Sequence, residues 1–441
     1  FRASMPRNGG KAASAWSGIN AIEQKRRQRR EGAAADAAEK AKEREKHGED
    51  LELVQFRAMV EEARLKAEEV GMPVSMKHDE RAKVSVFVRK RPLFDSERKV
   101  KSFDVVTALE GRGWGGRVVM HEPKRRVDLS KYIENHTFDF DLVFPDGCTN
   151  DDVYEEAVTP LLERMAEDPR TTSTVFAYGQ TGSGKTHTIS SFYAQAAQHI
   201  FQVAEHCGLE VAVRFFEIYG GKCFDLLANR NQIQPLEDAK GQVVLVNLTQ
   251  RKVRTQAEVL QLIELGLACR STGSTSANAQ SSRSHSLFEF LLLEKGKSQP
   301  KGKLALVDLA GSERGADRGN TDSKTRLEGA EINKSLLALK ECIRALYSNA
   351  KDHVPFRGSR LTHIMRDAFI GSRSHTVVVA HISPASGSAE HSLNTLRYAI
   401  RIKERTPEEV LAQQHLEHNY HHNNGAGRAV APVVPAQAAA A

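Results

Sequence analysis

An α/β fold, with a central sheet and helices on both faces, is predicted by three observations. Short β-branched apolar runs alternate with longer segments of helical period from about residue 82 to residue 405. One such run, VFAY (Val175–Tyr178), leads directly into GQTGSGKT and then HTISSFYAQAAQHIF, a strand, a glycine loop and a helix in succession. Residues 1–50 and 406–441 lack the alternation altogether.

The elements follow in order. Residues 1–50 begin rich in Gly, Ala and Ser and pass through KRRQRR (Lys25–Arg30) into alternating charge, the composition of a disordered extension. Over 51–81 a helix and a linker are expected: from Leu51 to Ala67, Leu53, Phe56, Val60 and Ala63 fall on one helical face, and Gly71 and Pro73 stop the helix. VSVFV (Val84–Val88) reads as a buried strand, as do VRFFEIY (Val213–Tyr219), LFEFLLL (Leu287–Leu293), KLALVDL (Lys303–Leu309) and TVVVAHI (Thr376–Ile382). Asp151–Met165, Thr255–Ala268 and Glu328–Tyr347 read as helices. Residues 406–441 turn His-rich, then Ala- and Pro-rich, as a disordered tail does.

The 441 residues are enough for a large core, while 27% charged residues point to polar extensions beside it. A net charge of +7 calls for an acidic partner without choosing one. Cys148, Cys207, Cys223, Cys269 and Cys342 are scattered with no CxxC pair. That argues against a disulfide framework or zinc site and for a reducing compartment. No apolar run approaches the ~20 residues that cross a bilayer. The chain begins with Phe1, so it is expected to be a fragment. KRRQRR fits a solvated helix, an import tract or an electrostatic tether; neither nucleic acid nor membrane is the expected partner.

Chemistry concentrates in three segments. In GQTGSGKT, Gly179, Gly182 and Gly184 permit the backbone angles that aim successive N–H groups at phosphate oxygens, and the next helix adds its positive end. Lys185 suits the β- and γ-phosphates, and Thr186 a magnesium ion. LVDLAGSE (Leu306–Glu313) is an apolar strand ending in Asp308, suited to the metal shell, and Gly311, whose N–H can approach a γ-phosphate. NAQSSRSH (Asn278–His285) offers hydroxyls to metal and water; taken alone it is equally a turn or a modification site. Arg283 and Glu313 carry opposite charges and could close the site.

In this order the three segments resemble the P-loop, switch I and switch II of the kinesin superfamily, from about Ala82 to Arg405. The resemblance implies a kinesin-like P-loop NTPase, with a mostly eight-stranded sheet and three helices on each side. It also implies ATP hydrolysis with Mg2+, coupled to α/β-tubulin and microtubules. The whole loop, Gly179, Gln180, Thr181, Gly182, Ser183, Gly184, Lys185 and Thr186, would bind nucleotide. VRKRP (Val88–Pro92) resembles the family's adenine-contacting strand, so Arg89, Arg91 and Pro92 would frame the base with His187 nearby. Ser282 would ligate magnesium or γ-phosphate alongside Thr186 and Asp308, Ser281 position water, Arg283 and Glu313 form the latch, and Gly311 sense the γ-phosphate.

Further segments resemble the internal-motor, microtubule-depolymerising class, the thirteenth. Arg126-Val127-Asp128 stands where that class carries Lys-Val-Asp at the tip of a hairpin that probes curved tubulin. Lys340, Glu341, Cys342 and Arg344 match its tubulin-facing helix, and HVPFRGSRLT adds Arg357 and Arg360. A charged neck-like helix (51–81) precedes the motor-like region (82–405), and RYAIRIKE (Arg397–Glu404) departs from a walking motor's neck linker. These features imply tubulin release at microtubule ends, in the cytoplasm and on the cytoskeleton, including the spindle. Any homodimer would form through segments outside this chain. The alternatives are a motor that translocates along microtubules and a microtubule-binding scaffold that does not hydrolyse.

Overall fold

The computed structural model describes residues 51–71, 83–111, 115–238, 243–271, 281–313, 323–347 and 354–403. The expected extension, 1–50, and tail, 406–441, lie outside the described residues. So do Pro73, Ala82 and Asn278–Gln280.

The sheet is built outward from VFAY. Strand β6 (Thr172–Gly179) lies between two parallel neighbours, β13 (Pro300–Asp308) and β14 (Ser374–Ile382). Beyond β14 come β1 (Val84–Lys90) and the short β5 (Leu142–Phe144), both also parallel. Beyond β13 the direction alternates through β12 (His285–Leu293), β7 (Glu210–Tyr219), β8 (Lys222–Asp225), β9 (Asn231–Glu237) and β10 (Val243–Val246). The short β11 (Arg251–Val253) pairs with β7 off this path. The sheet therefore has eleven strands where eight were expected. The difference is three short strands, β5, β10 and β11, of three or four residues each, too brief to carry a sequence signal of their own. A separate three-stranded sheet holds β2 (Val106–Glu110), β3 (Gly116–Arg125) and β4 (Lys131–Phe140).

Alternate residues of each strand serve opposite faces. Val175, Ala177, Phe215, Phe288, Phe290, Leu304 and Leu306 share one core with α3 (Asn150–Ala157), α4 (Thr159–Glu167), α5 (Lys185–Cys207) and α6 (Gln256–Ser271). Phe288 anchors it, with ring centroids 5.2 Å from Phe215 and 4.9 Å from Phe290. The intervening residues face α7 (Ser323–Tyr347), α9 (Arg366–Ile370) and α10 (Ala389–Ile402); Phe176 meets Phe369 at 6.0 Å and Tyr178 meets Tyr398 at 4.3 Å. Helices α2 (Asp95–Lys99) and α8 (Arg360–Ile364) are short.

The described residues fall into two compact units, and the smaller comprises 51–65 and 123–134. Helix α1 (Leu51–Val70) buries Phe56, Val60 and Ala63, the face its periodicity predicts. Within this unit Glu52 pairs with Arg125, and Gln55 accepts from Lys131 Nζ at 2.6 Å.

Candidate active site

Parallel pairing delivers four strand ends to one place. Across β6, Gly179 stands opposite His381 of β14 and Ala177 opposite Asp308 of β13, while Lys90 of β1 faces Ile382. Such a convergence of carboxyl ends is where open α/β sheets hold ligands.

The glycine loop leaves β6 and enters α5. Gly184 is its pivot: φ 104° and ψ 7° lie in the left-handed region, which lets the chain turn directly into the helix. Lys185 is buried and gives two of its three donors to the carbonyls of Gly179 (2.9 Å) and Gln180 (2.8 Å). Burial lowers its pKa, opposed by Asp308 and Glu313. Ser183 is buried and bonds Gln180 O at 2.8 Å. The side-chain Oε1 of Gln180 is buried without a partner among the described residues.

Thr186 Oγ1 donates to Asp308 Oδ2 at 2.9 Å, while Asp308 Oδ1 is buried with no hydrogen-bond partner among the described residues. A hydroxyl beside an unsatisfied buried carboxylate oxygen is the hard-oxygen set that magnesium takes, so these residues fit the ion. Magnesium held there would neutralise phosphate charge.

Both switch segments are stitched to the loop. Gly311 N–H donates to Ser282 O at 3.0 Å, and Ser312 N–H to Gly179 O at 3.1 Å. A Cβ on Gly311 would lie 2.3 Å from Thr181 Oγ1 and from Glu313 Oε2, so a larger residue would have to displace those side chains. Glu313 accepts from Thr181 N (2.9 Å) and Thr181 Oγ1 (2.5 Å).

Several of the expected site residues have other partners in this structure. In place of an Arg283–Glu313 latch, Arg283 meets Glu328 at 3.4 Å and Glu313 is held by the P-loop. The Gly311 amide is used on Ser282 O, so sensing a phosphate requires that bond to open. Arg91 does not present a free guanidinium to a base. It bonds Gly182 O (2.7 Å), Glu97 (2.5 Å) and Ser383 Oγ (2.9 Å), and stacks 3.8 Å from the Phe94 ring, buttressing the loop from below. Arg89 is spent on Asn150 (2.5 Å), Thr188 (2.7 Å) and Cys148 O (3.2 Å). Pro92 and His187 remain exposed.

Among the tubulin-facing candidates, Cys342 is buried, with its thiol pushed up to about 11 chiefly by burial. Helical periodicity turns it inward with Leu339 and Ile343. Lys340 is half-buried, its Nζ 5.0 Å from the Tyr398 ring centroid; Glu341 is half-buried, and the Arg344 side chain lies outside the described residues. The exposed stripe of α7 is instead Leu327, Ala330, Lys334 and Leu337. Arg357 is tied to Glu237 (3.0 and 2.5 Å), which also receives His363 at 3.0 Å; Arg360 is exposed. Arg126, Val127 and Asp128 are exposed at the turn between β3 and β4.

Sequence reading missed three participants. Arg270 is buried against Asp308 (3.3 Å), Glu217 (3.9 Å), Ser284 Oγ (3.1 Å) and Ser281 O (3.2 Å). Its signal was its place on the buried helical face, following Val259, Ile263 and Gly266. His285 accepts from Ala310 N at 3.1 Å through Nδ1, so its Nε2 carries the proton toward Ser335 Oγ at 2.8 Å. His381 joins Thr188 Oγ1 (2.8 Å) to Val379 O (2.9 Å).

Burial pulls both histidines down to about 3, helped by nearby cations: Arg270 and Lys185 for His285, Arg89 and Lys185 for His381. An unfolded histidine titrates near 6.5. The unfolded chain therefore takes up protons below about pH 6.5 that the folded chain refuses. Stability is fully present above that pH and is lost as pH falls toward 3. The expected slope is about 1.4 kcal/mol per pH unit for each histidine. Thermal denaturation should show a midpoint level above pH 7 and declining below 6; a midpoint flat down to pH 5 would contradict the two neutral buried rings.

Residues 89–405, well over half of the chain, match the family model described as the kinesin motor domain. The chain belongs to the kinesin family. Kinesin motor domains are microtubule-associated ATPases that bind nucleotide with magnesium, and this chain is an ATP hydrolase of that type. A solved structure described as the C-terminal motor and motor homology domain of Kar3Vik1, fused to a synthetic heterodimeric coiled coil, is similar at 27% identity and a TM-score of 0.62. The match covers 90% of this chain and 98% of that one. Among the described residues no helix is long and apolar enough to cross a membrane.

Proposed function

We propose that this kinesin spends ATP on removing tubulin from microtubule ends, with residues 82–405 as the motor unit and 51–81 as its neck. The observation that carries this reading is the hairpin tip. Val127, between Arg126 and Asp128, is 105% exposed, and Leu129, just after Asp128, is 71% exposed. The turn is braced: Asp128 Oδ1 accepts from Ser130 N (3.0 Å) and Ser130 Oγ (2.6 Å), and the Arg126 guanidinium lies 5.4 Å from the Tyr132 ring. A stiff tip bearing cation, apolar residue and anion in sequence suits a shaped, acidic protein surface. Arg360 and the Lys334 stripe of α7 would add exposed charge, so binding should weaken with salt.

In the nucleotide site, the P-loop amides and Lys185 hold phosphates, Thr186, Ser282 and Asp308 serve the magnesium, Ser281 orients water, and Arg283 closes on Glu313 once each leaves its present partner. Arg126, Val127 and Asp128 together replaced by alanine should retain most tubulin-independent ATP hydrolysis but release little tubulin. The measurement is soluble tubulin after pelleting stabilised microtubules with ATP. Equal release by the triple variant would sink the reading. Directional gliding of microtubules over the immobilised protein would favour a translocating motor, the activity suggested by the neighbour's description as a motor.

A further inference from the structure

Arg283 stands in the segment that should close over the γ-phosphate, yet the carboxylate it meets belongs to α7. Its Nη1 is 3.4 Å from Glu328 Oε2, and the Glu328 side chain is only 9% exposed. Tyr219, the last residue of β7, donates its hydroxyl to Glu328 Oε1 at 2.5 Å. Arg283 is the sole counter-charge of Glu328 among the described residues. Two turns further along the same face of α7, Ser335 bonds His285. Helix α7 thus grips this segment at two points, 283 and 285. Both Glu313 carboxylate oxygens are engaged with Thr181. Closure therefore needs two exchanges: Glu313 must leave Thr181, and Arg283 must leave Glu328.

We propose that Glu328 is a positioning residue that withholds Arg283 from Glu313, so that a partner pulling on the exposed stripe of α7 releases the arginine and lets the site close. This rests on the Arg283–Glu313 latch proposed above. Tyr219 has a defined part: after Arg283 departs, its hydroxyl still satisfies the buried carboxylate, which keeps the exchange reversible. The stripe is suited to the handle, since Leu327 is 70% and Leu337 57% exposed on the side of the helix away from Glu328.

The test is single-turnover ATP hydrolysis by the full chain with magnesium and no tubulin. Glu328→Gln keeps the shape of the side chain and an acceptor for Tyr219 but removes the charge that holds Arg283. Its rate should rise about fivefold or more, within the usual range of coupling between sites, and stimulation by tubulin should shrink by the same factor. Tyr219→Phe should act in the opposite direction, slowing hydrolysis about two- to tenfold, because the stranded carboxylate then holds the arginine harder. In Glu328→Gln combined with Glu313→Gln the rise should vanish. Opposite signs support the proposal; a merely structural Glu328 would slow both single variants, and that result, or no change in Glu328→Gln, overturns it. Should Glu328→Gln fail to fold, Tyr219→Phe at an unchanged melting temperature decides: a fall supports, an unchanged or faster rate overturns. A wild-type chain that hydrolyses ATP but releases no tubulin would count against the depolymerase reading and leave Glu328 untouched.

Discussion

Lys185→Ala should abolish turnover while leaving the fold intact or slightly firmer. Lys185 is a cation buried at the mouth of the sheet and satisfied by two carbonyls, with no carboxylate in direct contact among the described residues. Burial alone is the largest influence on its proton, and it disfavours the charge. Such a group is retained for the ligand, since a desolvated cation contributes little to stability without a close counter-charge. When triphosphate enters the loop, the ammonium gains the anion it lacks, and removal forfeits a charge-assisted contact to the transferring group. Losses of about 10²–10³ per preorganised donor are usual, and here the same group also binds the substrate, so kcat/KM should fall by at least about 10³. Steady-state phosphate release, nucleotide affinity and nucleotide-free melting temperature together check this. Turnover within tenfold of wild type would refute it, and so would a large drop in melting temperature, which would make Lys185 structural.

What was legible in the sequence was whatever depends on local order. VFAY followed by GQTGSGKT fixes strand, turn and helix within one stretch, and the β-branched runs announce each long strand. Leu53, Phe56, Val60 and Ala63 announce the buried face of α1. Partnerships over long separations were not legible. Arg283 and Glu328 are 45 residues apart, and nothing local says that Glu328 outcompetes Glu313 for the guanidinium. Arg125 with Glu52, and Lys131 with Gln55, lie 73 and 76 residues apart. Cys342 shows a different limit of local reading. Lys340, Glu341 and Cys342 are contiguous, and a contiguous motif invites reading as one surface, but successive helical residues point about 100° apart and the third goes into the core. Arg91 belongs to a contiguous motif too, and the Glu97 and Phe94 that hold its guanidinium follow within six residues.

Glu313→Ala should separate binding from hydrolysis more sharply than any other single change. The carboxylate now sits on Thr181, bonding its backbone N–H and its hydroxyl. That N–H belongs to the phosphate loop, so Glu313 is an anion lodged against a nest built for anions. Removing it frees the amide and deletes a negative charge beside the incoming phosphates. ATP affinity should therefore be kept or improved. Hydrolysis should fail, because the arginine of switch I loses the partner that would hold the site shut and water would be left unpositioned. The expected loss in the single-turnover rate is about 10²–10³. Equilibrium affinity for a fluorescent ATP analogue, set beside single-turnover hydrolysis, measures both arms. A parallel collapse of affinity and rate would mean that Glu313 merely props up the loop through Thr181. Affinity held while the rate collapses would place the action of the carboxylate after ATP has bound, as the latch with Arg283 requires.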